Sequence, residues 1–323
     1  MNNFRTEVII SPSATRMRLT DSVLTIGSCF SDAIGSQLIS NKLNAQVNPF
    51  GTNYNPHSIH KAIQCAVSNR DASENSFVER LGLTLHYDFH SRFSSLSKQD
   101  LRTQLQSTIS DTHNFLGKSN WLIITYGTAW VYELTESNEI VANCHKMPQP
   151  LFNKFLLTQK RILDSFQAMY AELKNFNPGI QIILTVSPVR HIKETLERNS
   201  VSKSVLRVAC DTLSQQHSDV QYFPSYEILL DDLRDYRFYK PDMIHPSEVA
   251  EEYIWQKFGE RYFDDHLIQF ISTWKEIRSA LNHRPFHPDS PAHQKFVAKT
   301  IKKLEELKDL INVDKEIASL RKP

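Results

Sequence analysis

Two short segments hold the side chains best suited to covalent chemistry. The first is Gly27-Ser28-Cys29-Phe30-Ser31, placed where an apolar run, Val23-Leu24-Thr25-Ile26, gives way to a helix-compatible stretch. A nucleophile at such a turn is exposed, and the amides opening the next helix favour a thiolate or an oxyanion. Either Ser28 or Cys29 fits that role; as structure alone, both are small residues in a tight turn, with Ser28 or Ser31 capping a helix. The second segment is Asp242-Met243-Ile244-His245. In a helical or tight turn, a spacing of three lets the carboxylate orient the imidazole while the other ring nitrogen faces a nucleophile. The plain alternative is a helix-start turn with Asp242 or Ser247 as cap and His245 on the surface.

Other polar residues cluster where a binding crevice is expected. Arg190 and His191 closely follow the apolar run Ile182 to Val186, and Arg190 suits bidentate pairing with a carboxylate or phosphate, or a structural ion pair. Asn143-Cys144-His145-Lys146 is polar between Ile140-Val141 and Pro148 and reads as a lip over the site, with Asn143 and His145 as substrate contacts. His57 with His60, and His86 with His90, have ligand-like spacings but lack a recognisable third ligand, so neither a metal nor a cofactor is expected.

The elements that must position these residues follow from hydropathy. Four short runs, Val23–Ile26, Trp121–Tyr126, Ile182–Val186 and Val220–Phe223, show little alternation, as strands buried on both faces do. Helical patterns separate them: Asp32–Asn41, Asn55–Ser68, Asp100–Phe115, Asn153–Asn175 and Ser202–Gln216. The alternation predicts a three-layer α/β/α sandwich on a parallel sheet, with the crevice beyond the carboxyl ends of the strands. From about Asp264 onward, an apolar helical stretch, a breaker-rich loop (His283 to Pro291) and a charged helix with Val297, Ile301, Leu304, Leu307 and Ile311 predict a helical appendage used for packing.

With 37 basic and 36 acidic residues among 323, no charge excess recommends nucleic acid or an anionic membrane as partner. Cys29, Cys65, Cys144 and Cys210 form no C-x-x-C pair and read as free thiols of a reducing compartment. The opening residues carry no basic stretch before a long apolar run, and no apolar segment nears the ~18 residues of a membrane span. The expectation is a soluble, cytoplasmic protein acting on a small molecule.

The two chemical segments, with the phrases NPFGTNYNP (48–56), YGTAWVYE (126–133), VANCHK (141–146), SPVRH (187–191), YFPSYEILLDDLRDYRFY (222–239) and DMIHPS (242–247), resemble the GSCFA domain family, related to the SGNH or GDSL hydrolases. The resemblance spans roughly the first 260 residues and implies a flavodoxin-like SGNH hydrolase sheet in residues 1–262, followed by a helical extension over 263–323. It implies an esterase or acyltransferase using a Cys29–His245–Asp242 triad, a covalent acyl-enzyme, and a carbohydrate or small-molecule acyl ester. Aligned with G-D-S-L, Cys29 takes the nucleophile position and Ser28 that of the Asp. Gly51 takes the place of the second-block oxyanion glycine. The third block, Gly127-Thr128-Ala129-Trp130, lacks the superfamily's Asn, an oxyanion donor. Losing one such donor costs on the order of 100- to 1000-fold in turnover. Asn53, Thr128, Asn143 and His145 are the candidate replacements. Two other readings stay open: an esterase with Ser28 as nucleophile, and a carbohydrate- or acyl-binding module without catalysis.

Overall fold

The computed structural model describes residues 6–321. Five strands build the central sheet: β1 (Ser22–Gly27), β2 (Asn44–Val47), β3 (Trp121–Tyr126), β4 (Gln181–Val186) and β5 (Val220–Phe223). All pairings are parallel and the spatial order is β2-β1-β3-β4-β5, the flavodoxin-like winding whose switch point falls between β1 and β3. Gly27 pairs with Thr125, and Thr125 with Thr185, so the chain leaves β1, β3 and β4 at one level. The segments beginning at Ser28, Gly127 and Ser187 therefore converge.

Strand alternation sorts the core into two layers. Leu24, Ile26, Leu122, Ile124 and Leu184 face one cluster, which includes residues of α2 (Pro56–Ser68), α3 (Lys98–Leu116), α4 (Gln159–Phe176) and α5 (Leu196–Gln216). Val23, Trp121, Ile123 and Ile183 face the other, with α1 (Cys29–Ser40) and the helices Glu248–Tyr262 and Asp265–Leu281. The C-terminal helices Pro291–Glu305 and Asp314–Leu320 join that second layer through Leu304, Val313 and Ile317. Trp274 ties the appendage to the end of α1, its Nε1 donating to the Ser40 carbonyl at 2.8 Å.

Several elements depart from the sequence reading. The edge strand β2 carries the mixed pattern Asn44-Ala45-Gln46-Val47, which has no apolar run to announce it. The helix expected from Asn153 starts at Gln159, capped by Thr158, because Phe152–Leu156 instead pairs antiparallel with Trp130–Leu134. Trp130–Leu134 also pairs with Ile140–Val141, so a three-stranded sheet fills the connection between β3 and α4. A further hairpin joins Phe77–Arg80 to Leu83–His86.

Candidate active site

The turn after β1 is built to present Cys29. Gly27 has φ +138°, and a Cβ there would lie 2.1 Å from the Thr125 carbonyl oxygen, so the crossing of β1 and β3 requires glycine. Asn48 braces this turn: its Oδ1 accepts from the Gly27 N–H at 2.9 Å, and its Nδ2 donates to Asp32 at 2.7 Å. Ser28 is fully buried, its N–H donates to Thr125, and its hydroxyl is the N-cap of α1, accepting from the Phe30 N–H at 3.4 Å. Cys29 is the first residue of α1 and is only partly covered. Burial and the Asp32 carboxylate push its thiol pKa up, while the amides of Cys29 and Phe30 and the ammonium of Lys203 pull it down.

His245 stands across a groove of about 510 Å³ bordered by both residues, together with Asp32, Val189, Lys240 and Glu251. The segment around it is a closed loop. Tyr239 bridges Pro246, the Lys240 N–H donates to the His245 carbonyl at 2.8 Å, and helix Glu248–Tyr262 begins only after the Ser247 cap. Within the loop, Asp242 Oδ1 accepts the Ile244 and His245 N–H groups at 2.9 and 3.0 Å, while Oδ2 lies 2.7 Å from His245 Nδ1. The backbone bonds from His245 and Ile244, then the ring, hold the Asp242 carboxyl at about 2, well below its ordinary value. The arrangement fixes the His245 tautomer with Nδ1–H on Asp242 and leaves Nε2 as the acceptor. Among the described residues no hydrogen bond joins Cys29 Sγ to His245.

The remaining expected contacts divide. His191 lies near the turn after β1: its ring meets Tyr54 edge-on at 5.4 Å, and its Nε2 is buried without a hydrogen-bond partner among the described residues. A Cβ on Gly127 would lie 3.1 Å from that Nε2 and 3.1 Å from Ser28 Cβ, so the site keeps a small space over Gly127. Burial first, then the charge of Lys203, pushes His191 down to about 3, leaving it neutral. Asn53 is buried, donates its N–H to the Gly27 carbonyl at 2.9 Å, and leaves its Oδ1 unpartnered.

Five other candidate residues make contacts elsewhere in the structure. Gly51 donates its N–H to the Asn48 carbonyl at 2.8 Å, so it shapes a turn (φ +79°) rather than offering a free oxyanion donor. The Thr128 hydroxyl lies 3.0 Å from the Ser202 hydroxyl and accepts the Trp130 N–H, and its own N–H donates to the Tyr54 carbonyl, so its backbone donor is taken. Asn143 and His145 bond to each other and to Ser91, and His145 Nε2 also bonds the His86 carbonyl. Asn143 borders a separate cavity of about 350 Å³ with Tyr54, Tyr132 and Lys193, not the groove of Cys29. Arg190 stacks on Tyr239 at 4.0 Å and reaches the Met243 carbonyl at 3.4 Å, so it braces the His245 loop instead of facing the groove. The paired histidines are also engaged: His60 bonds Ser165 and Tyr126, and His86 bonds Ser73 and Asp88.

The reading from sequence passed over α5. Its buried face carries Asn199, Ser202 and Lys203, which bond respectively to the His191 N–H, to Thr128 and the Ala129 N–H, and to the carbonyls of Gly127 and Ser187. Polar residues at i, i+3 and i+4 on a helix whose other buried positions are Leu206, Ala209, Cys210 and Leu213 are the signal that was available.

The chain is a flavodoxin-like α/β domain in which a strand-end thiol and the histidine of an Asp–His pair border one groove. The GSCFA family model matches residues 22–258, and the model of the GSCFA domain protein C-terminal domain matches residues 274–322; the chain belongs to the GSCFA family. No curated protein matches the chain. Similar solved structures include a family 3 carbohydrate esterase of Talaromyces cellulolyticus, 10% identical over 78% of this chain and 99% of that one, with TM-score 0.37. The family 3 carbohydrate esterase of Clostridium thermocellum is 10% identical over 78% and 98%, with TM-score 0.36. An acetyl xylan esterase of the rumen bacterium Butyrivibrio proteoclasticus is 9% identical over 75% and 63%, with TM-score 0.37. Among the described residues no helix is long and apolar enough to cross a membrane.

Proposed function

We propose that the protein is an acyl hydrolase or acyltransferase that works through a thioester on Cys29. The observation carrying this reading is that one groove is bordered by a half-covered cysteine at a helix N-terminus and by a histidine already oriented by a carboxylate. The raised thiol keeps Cys29 protonated at rest, so a base must act as the bond forms. His245 Nε2 takes the Sγ proton, the sulfur forms a bond to the acyl carbonyl carbon, and the carbonyl electron pair moves onto oxygen. Collapse of that oxyanion expels the alcohol, which takes the proton from His245, leaving the thioester. Water or an acceptor hydroxyl then gives its proton to His245 and attacks; the Cys29 thiolate leaves and recovers the proton.

Ser28 is disfavoured as nucleophile because its hydroxyl is buried and serves as the cap of α1. Asp242 needs no proton in the cycle; it holds the ring and offsets the imidazolium charge. We place the reaction in a reducing, cytoplasmic setting, where a working thiol stays free. The substrate class is an acyl ester of a carbohydrate or small metabolite. The test is intact-mass analysis after mixing with an aryl ester: a mass increase by one acyl group, mapped to Cys29 and lost in C29A and H245A, supports it. No adduct and no turnover across acyl esters leaves a binding module without catalysis.

A further inference from the structure

Lys203 is the most unusual charged group in the molecule. It lies on α5, is 1% exposed, and among the described residues pairs with no carboxylate. Its Nζ donates to the carbonyls of Gly127 at 2.7 Å and Ser187 at 2.6 Å and faces the Tyr226 ring at 5.8 Å. Those carbonyls belong to the first residues after β3 and β4, the two chain segments that turn toward the nucleophile. Two carbonyls need two donors, which a neutral amide supplies; a buried ammonium brings a third donor and a charge that is costly to bury.

The Gly127 held by this lysine lies beside Ser28, His191 Nε2 and Tyr54. Resting on the acyl-transfer reading above, we infer that Lys203 is a positioning residue whose ammonium fixes the loops after β3 and β4 and places behind them a positive charge that offsets negative charge on the Cys29 sulfur and on the acyl oxygen.

The electrostatics point the same way. Burial brings Lys203 down to about 7, and the Cys29 thiolate is the group that pulls it back up. Lys203 in turn lowers the Cys29 thiol, so each charge favours the other. The other groups around Cys29 do not replace this charge. Asp32 on α1 opposes the thiolate, and Tyr54 is neutral with its phenol pushed upward by burial. Across the groove, Lys240 is paired with Glu251 at 3.3 Å, His245 with Asp242, and Arg278 reaches the Ser40 carbonyl at the far end of α1.

The deciding measurement is the pH profile of Cys29 alkylation by iodoacetamide on the full chain, read by peptide mass so that Cys65 and Cys144 do not contribute. K203M removes the charge, K203Q removes it but keeps two N–H donors for the two carbonyls, and K203R keeps it. The expected result is Cys29 alkylation that is several-fold slower in K203M and K203Q at and below neutral pH, where Lys203 still carries its proton, with K203R near wild type. Unchanged profiles in K203M and K203Q would overturn the proposal, whatever those variants do to stability. Should both fail to fold, C29A carries the test: the Lys203 midpoint, followed by NMR of the labelled ε-carbon, must lose its thiolate-linked rise, and an unmoved titration curve overturns the inference. A Lys203-dependent alkylation rate in a protein that forms no acyl adduct would instead sink the acyl-transfer reading alone.

Discussion

His245 Nδ1 sits 2.7 Å from Asp242 Oδ2, while the other oxygen of the same carboxylate accepts the backbone N–H groups of Ile244 and His245. One side chain thereby sets the loop backbone and the ring that the loop carries. Replacing Asp242 with Asn keeps a carbonyl oxygen for the backbone but offers the ring an amide that favours the other tautomer. D242N is expected to fold with unchanged melting behaviour and to lose on the order of a thousandfold in kcat for ester turnover. Wild-type-like turnover in D242N would remove Asp242 from the mechanism.

Ser28 and Cys29 are adjacent in sequence but differ in access, one a buried cap and the other bordering the groove. C29A should abolish the acyl adduct detected by mass analysis. S28A should lose about 1 kcal/mol of stability through the cap and still acylate. Adduct formation in C29A together with its loss in S28A would reverse the assignment.

The Arg190 guanidinium lies over Tyr239 at 4.0 Å, and its backbone N–H reaches the Ile244 carbonyl at 3.2 Å. An arginine that braces a loop acts on every substrate alike; one that binds an anion acts selectively. R190A should therefore lower kcat/KM for neutral and anionic esters by the same factor, and R190K should not restore it because the planar stack is lost. A selective loss with anionic esters would return Arg190 to substrate binding.

The β1-to-α1 turn tolerates no side chain at Gly27, where an added Cβ meets the Thr125 carbonyl at 2.1 Å and φ is +138°. G27A is expected to cost about 3–5 kcal/mol of unfolding free energy, read from the urea midpoint at constant slope. A loss below about 1 kcal/mol would show that β1 and β3 can part without harm.

What could be read without coordinates was what is local. The runs at Val23, Trp121, Ile182 and Val220 are strands buried by helices on both sides, and such strands announce themselves through continuous apolar residues. Cys29 at a strand end and the three-residue spacing of Asp242 and His245 were likewise visible, because each depends on a few neighbouring residues. β2 was not, since this strand buries none of its residues fully and carries a mixed pattern. Phe152–Leu156 read as helix because its partner, Trp130–Leu134, lies some twenty residues away. Lys203 was hidden for the same reason in stronger form. A lysine within a helix reads as a solvated face, and only the arrival of the Gly127 and Ser187 carbonyls, 76 and 16 residues distant, buries it. Gly51 and Thr128 show the converse: the right residue types occupied the expected positions, but the Asn48 carbonyl and the Ser202 hydroxyl engage them.

The same lysine makes stability depend on pH in a direction that can be worked out. Folded, Lys203 is held at about 7; unfolded, it returns to 10.5. Below the folded value both states carry the proton, and the burial penalty is present in full. Between the two values the unfolded chain binds more protons than the folded one, so the contribution to stability rises with pH, with a slope approaching about 1.4 kcal/mol per pH unit. Thiols raised by burial, Cys65 and Cys144 both at about 11, act in the opposite sense once the unfolded thiols begin to ionise. The clean quantity is therefore the difference between wild type and K203M, from urea unfolding at successive pH values. That difference should move in favour of wild type as pH rises from neutral toward the ordinary lysine range. A flat difference would mean that Lys203 keeps its ordinary titration in the folded protein, and that its ammonium costs nothing to bury.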